Sequence, residues 1–188
     1  SGRVSGGIYG IKVGARKGSG GGKVVGMISI ANADTQILTI SKYGMAKRSR
    51  IGTGRRTPDI DSDGNPKYDE EGNVKQITDG YRSTRPGAKG VRTMKLDETH
   101  NDEIISVRMI PDMNDNLFLL TKKGMMIRLM VSQTKETSGK STRGTRVMEL
   151  RNKDKSGFTD ELIFSSRLPA ELMNIEQDTT GPESHEEE

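Results

Sequence analysis

Leu117-Phe118-Leu119-Leu120-Thr121-Lys122-Lys123-Gly124-Met125-Met126-Ile127-Arg128 aligns, position for position and without a gap, with Ile37-Leu38-Thr39-Ile40-Ser41-Lys42-Tyr43-Gly44-Met45-Ala46-Lys47-Arg48. Each stretch reads as two short β-runs joined by a tight turn, because Gly44 and Gly124 can supply the positive φ that hairpin turns often need. The run before each turn is almost continuously apolar and is predicted to be buried on both faces. The run after it carries Lys47, Arg48 or Arg128 and is predicted to lie nearer solvent.

The repeat extends outward from these hairpins. Gly90-Val91-Arg92-Thr93-Met94-Lys95-Leu96 returns upstream as Gly7-Ile8-Tyr9-Gly10-Ile11-Lys12-Val13 and downstream as Gly144-Thr145-Arg146-Val147-Met148-Glu149-Leu150. A second run follows each: Lys23–Met27, Glu103–Val107 and, more weakly, Glu161–Ser165. Each copy is predicted to form one small antiparallel sheet that cannot bury its own faces, so successive copies must pack as blades. The expected fold is therefore all-β, a propeller-like β-pinwheel of small four-stranded blades. Residues 1–168 supply about two full blades and part of a third, which leaves an incomplete ring with exposed strand edges. Between the first two copies, residues near 56–80 form an acidic insertion rich in turn residues, predicted to be a mobile loop with at most a weak hairpin. Residues 169–188 are predicted to be a disordered acidic tail. The start at Ser1 rather than Met reads as that of a piece of a longer protein.

Composition agrees with many short strands: 30% of the 188 residues are apolar, 4% are aromatic and 23 are Gly. There is no Cys, no signal-peptide pattern and no long apolar run, so disulfides, thiolate metal sites and membrane spans are not expected, and a cytoplasmic, nucleoid-associated location is. Charge is unevenly spread. Residues 1–168 hold all 30 Lys and Arg against 19 Asp and Glu, and outside residues 56–80 the imbalance is 27 against 12. Such an excess attracts polyanions.

The ordered recurrence of these pieces resembles the C-terminal domain of the DNA gyrase and topoisomerase IV A proteins, over about residues 7–168. That resemblance implies a basic rim that binds and wraps duplex DNA as the accessory domain of a type II topoisomerase. It also implies partners: the rest of the topoisomerase A polypeptide, and the ATPase B chain of the parent complex. No cofactor is expected in this chain; ATP and Mg would serve the parent complex, and the nucleophilic Tyr would lie elsewhere. One hallmark of gyrase is missing, a Gln-Arg-Arg-Gly-Gly-Arg-Gly type loop. The nearest stretch, Arg82-Ser83-Thr84-Arg85-Pro86-Gly87-Ala88-Lys89-Gly90, keeps bases and Gly but not the order, so gyrase and topoisomerase IV both remain open.

A wrapping surface needs spaced cations rather than base-reading groups, because phosphate neutralisation releases condensed counterions whatever the sequence. The candidates in inter-blade loops and solvent-side strands are Lys42, Lys47, Arg48, Arg50, Arg55, Arg56, Arg82, Arg85, Lys89, Arg92, Lys122, Lys123, Arg128, Lys140, Arg143 and Arg146. Lys12 and Lys95, set between apolar residues, are read as solvated charges. Four Tyr and three Phe offer few stacking platforms, which favours duplex over single strands.

Other signals fail on inspection. Lys17-Gly18-Ser19-Gly20-Gly21-Gly22-Lys23-Val24 lacks the Gly and the Ser or Thr of a phosphate loop at Lys17 and Val24. His100 and His185 have neither metal-ligand spacing nor a triad context. The ten Met are read as core filler rather than a binding surface. Two rival readings stay open: a protein-interaction propeller with incidental basicity, and a freestanding chromatin-architectural protein.

Overall fold

The computed structural model describes residues 6–14, 21–137, 139 and 142–173. Among them the elements are strands and short 3-10 turns, with no α-helix. β1 (Gln36–Ser41) and β2 (Met45–Arg50) form one hairpin, and β6 (Asn116–Thr121) and β7 (Met126–Met130) form its repeat. Gly44 and Gly124 sit in these turns at φ +80 and +86. β1 and β6 are buried nearly throughout, as predicted, and β7 alternates. β2 departs from expectation: Ala46 and Lys47 are buried, because a further strand and a loop cover it.

The sheets are not single sequence copies. β5 (Ile104–Ile110), the second run of copy two, pairs with β1 of copy one, with Thr39 opposite Val107. β9 (Leu162–Leu168), the second run of copy three, pairs with β6 of copy two, with Leu119 opposite Ser165. Equivalent contacts fix both joints. Lys42 N–H donates to Glu103 O at 2.8 Å and Lys122 N–H to Glu161 O at 2.9 Å, and each ladder shifts register at the same place. The side chains of Asp102 and Asp160 accept from the next amide, that of Tyr43 and Lys123. β8 (Thr145–Arg146), from copy three, closes the outer edge of β2. The resulting sheets are four-stranded, β5-β1-β2-β8, and three-stranded, β7-β6-β9. This corrects the reading of one copy per blade. The physical gain is that neighbouring copies are joined by backbone ladders as well as by side-chain packing.

One apolar cluster spans both sheets: Leu38, Ile40, Ala46, Ile110, Leu117, Leu119, Val131, Leu150 and Leu162. Each buried Leu, Ile or Val among them contributes about 1.5–3 kcal/mol by leaving water. The methionines largely do not join it. Met27, Met109, Met125, Met126 and Met130 are exposed, against the expectation of core filler.

The first two runs of copy one are not strands. Ile8, Tyr9 and Met27 are exposed. By the exchange rule Lys23–Met27 needs the hairpin of a preceding copy, and the described residues hold none ahead of β1. Gly90–Leu96 is likewise unpaired as a strand, though its Lys95 N–H reaches Thr142 O at 2.9 Å, as Lys12 N–H reaches Ala88 O.

The insertion is better ordered than a mobile loop. Its base is β3 (Arg56–Pro58) on β4 (Gln76–Thr78). Beyond it, Ile60-Asp61-Ser62-Asp63-Gly64-Asn65-Pro66-Lys67 and Tyr68-Asp69-Glu70-Glu71-Gly72-Asn73-Val74-Lys75 are tandem octapeptides. Each forms a tight hairpin whose first Asp accepts the amides two and four residues on, Asp61 from Asp63 and Asn65, Asp69 from Glu71 and Asn73. The two are laced together: Lys67 N–H donates to Asp59 O, Lys75 N–H to Lys67 O, and Asp59 N–H to Lys75 O. Ala170–Met173 is a 3-10 turn held by Ala170 N–H on Asp115, so the start of the acidic tail is anchored. The rest of the tail lies outside the described residues.

Candidate nucleic-acid interface

Fifteen of the sixteen predicted cations fall into three groups. Lys47 and Arg48 are withdrawn from solvent. Lys47 is 1% exposed, and its Nζ donates to Thr93 O at 2.6 Å and Gly139 O at 2.5 Å; burial pushes its pKa down from the ordinary lysine value. Arg48 donates to Thr134 O and Gln36 Oε1 and lies 3.5 Å from Glu136. Both were expected on the solvent side of the hairpin. The covering strand β8 and the loop after Thr134 reverse that.

A second group is exposed or half-buried beside carboxylates. Lys42 is 3.8 Å from Glu103 and over the ring of Tyr43; Arg50 reaches Asp34 and Asp79; Lys122 pairs with Glu161, whose hydrogen bond pushes the lysine pKa up. Lys123 lies beside Asp160, and Arg146 pairs with Glu149. Exposed ion pairs of this kind are worth little and open readily to a phosphate. Arg128 is exposed on β7 opposite Phe118.

Arg55, Arg56, Arg82, Arg85, Lys89, Arg92 and Arg143 are exposed and make no side-chain hydrogen bond or ion pair among the described residues. Lys140 lies outside the described residues.

Folding also brings two of the predicted cations, Arg143 and Arg146, together with two that the sequence reading did not mark, Lys95 and Arg151. Lys95, Arg143, Arg146 and Arg151, from the second and third copies, line a cavity of about 70 Å³ with Tyr43, Asp97, Asp102 and Phe158. Tyr43 stacks on Phe158 at 3.9 Å, His100 meets that ring edge-on, and the Arg151 guanidinium lies 5.3 Å from its centroid. Asp97 Oδ2 lies 3.1 Å from His100 Nδ1 and 3.7 Å from Arg151. Burial works against its ionisation, but the His100 contact and the amide of Thr99 hold its pKa below the ordinary carboxylate value. Burial raises that of Asp102. The aromatic wall and Asp97 thus fix Arg151, while Lys95 and Arg143 have no side-chain partner among the described residues. Lys95 was read as a solvated charge and Arg151 was not singled out, because the groove exists only where two copies meet. Among the described residues no cluster of three metal-ligating side chains occurs.

A family model described as the DNA gyrase C-terminal domain, beta-propeller, matches residues 78–111 and 115–155. Over these residues the chain is similar to the DNA gyrase C-terminal domain family. The matched residues carry the second hairpin, β5 and the four cations that line the groove. The DNA gyrase A protein of Campylobacter jejuni is 29% identical over 170 residues, 90% of this chain and 15% of that protein. Its Helicobacter pylori counterpart is 25% identical over 170 residues, 90% of this chain and 16% of that protein. The chain therefore spans about one sixth of these relatives. The solved C-terminal domain of DNA topoisomerase IV superposes with a TM-score of 0.53 at 14% identity, over 92% of this chain and 43% of that one, a likeness of fold.

Proposed function

We propose that this pinwheel binds duplex DNA without sequence preference and bends it around its basic surface, as an accessory domain of a type II topoisomerase A polypeptide. The observation that carries the reading is the convergence of Lys95, Arg143, Arg146 and Arg151 on one groove, continuous in sequence with the unpaired Arg82, Arg85, Lys89 and Arg92. Cations without internal partners lose little on meeting a phosphate and gain the entropy of released counterions. Bending 20–30 base pairs costs on the order of 1–6 kcal/mol, so several contacts must act together on a rigid frame. The exchanged sheets provide that frame. The duplex is the substrate, the partners are the remainder of the A polypeptide and the ATPase B chain, and nucleotide chemistry belongs to that complex.

Fluorescence anisotropy on random-sequence duplex at several salt concentrations tests this. Affinity is expected to fall steeply with salt, each neutralised phosphate adding about −0.9 to the log–log slope, and Lys95→Ala with Arg143→Ala to remove about two such units. Affinity insensitive to salt, or a slope unchanged in the double variant, would overturn the assignment.

A further inference from the structure

We infer that Lys47 is a positioning residue for this surface and not a phosphate contact: its buried ammonium ties the two basic loops that flank β2 and sets their spacing. The consequence for DNA rests on the duplex-binding reading above; the tie itself does not.

The geometry is specific. Thr93, one acceptor, follows directly on the Arg82–Arg92 stretch, and Gly139, the other, belongs to the loop between Lys135 and Arg143. The two carbonyls come from segments 46 and 92 residues away along the chain and share one Nζ. Burying an ammonium costs several kcal/mol unless it is hydrogen-bonded, so such a group survives only where its partners are held in place. β8 lies over its stem: a Cβ on Gly144 would come within 2.9 Å of Lys47 Cβ. Arg48 reinforces the tie, because Thr137 N–H donates to Arg48 O at 3.0 Å and the Arg48 side chain reaches Thr134 O. The loop is thereby laid along β2.

The second copy supplies the control. Lys47 opposes Thr39 as Ile127 opposes Leu119, and Ile127 packs against the core. The hairpin itself needs no cation at this position. The charge is explained by the two loops that meet there in copy one.

The test uses the full chain and Lys47→Ile, the residue of the second copy. Amide hydrogen exchange, measured without DNA, should accelerate by at least about tenfold in 91–96 and 134–137 while β1 and β6 stay protected. Duplex affinity should fall several-fold at an unchanged salt slope. Wild-type exchange in both loops would overturn the tie, and a slope reduced by about one unit would make Lys47 a phosphate contact instead. If Lys47→Ile loses its cooperative melt, Lys47→Arg is read the same way, accelerated exchange supporting the tie and wild-type exchange overturning it. A wild-type chain that ignores duplex would overturn the DNA-binding reading, and the exchange measurement would still decide the tie.

Discussion

The repeat's first glycine shows how one residue type is imposed by backbone geometry. Gly7, Gly90 and Gly144 all adopt positive φ, between +75 and +84, which side chains with a Cβ rarely adopt. At Gly144 there is also no room, since a Cβ would press on Ala46 O, in the strand that β8 covers. Gly144→Ala is expected to cost about 1–3 kcal/mol, read from the denaturant midpoint. Gly124→Ala, at φ +86 but with open space around it, should cost about 1 kcal/mol. Asp79 is a residue whose protonation matters. Hydrogen bonds from Thr53 N–H and Oγ1, helped by Arg50, hold its pKa below the ordinary 3.8. A depressed carboxylate stabilises fully above its unfolded value and loses that contribution as pH falls through the folded one. Protection of the Thr53 amide, corrected for its intrinsic exchange rate, should therefore persist through the ordinary carboxylate range and be lost only below it; in Asp79→Ala it should be low at every pH.

At the scale of elements, the acidic arm is a unit closed on itself. Its octapeptide hairpins satisfy their own backbone through Asp61, Asp69 and the triangle of Asp59, Lys67 and Lys75. Its apolar residues Ile60, Tyr68 and Val74 stay exposed rather than entering the core. Replacing Asp59–Lys75 with a short glycine linker should leave the thermal midpoint of the body unchanged. A large drop would show that the arm supports the sheets. The turn chemistry of Gly64-Asn65 and Gly72-Asn73 was legible in the sequence, but the lacing between the two turns was not, because it depends on three segments meeting eight residues apart.

For the whole molecule, strand exchange makes the copies interdependent. β9 completes the sheet of copy two, and Leu162, 1% exposed, packs in the cluster that also holds Leu38 and Ile40 of copy one. Leu162→Ala is expected to cost about 2–5 kcal/mol and to shift one common transition seen alike by far-ultraviolet dichroism and by probes in either hairpin. Separate transitions for the two hairpins would contradict the exchanged arrangement. The same continuity suits a surface that must resist the recoil of bent DNA, since load on one loop passes through ladders to the next sheet.

The sequence by itself determined the all-β class, the two hairpins with Gly44 and Gly124 in their turns, the repeat and the basic excess, because these follow from local periodicity, turn chemistry and counting. Tertiary structure decided which runs pair, which lysines are solvated and where cations converge. Lys47 and Arg128 both follow a hairpin glycine, yet one is buried and one exposed, because β8 and the loop from Thr134 cover β2 and nothing equivalent among the described residues covers β7. Contacts between copies distant along the chain set burial, and burial decides whether a charge is offered to a polyanion or used to hold the frame.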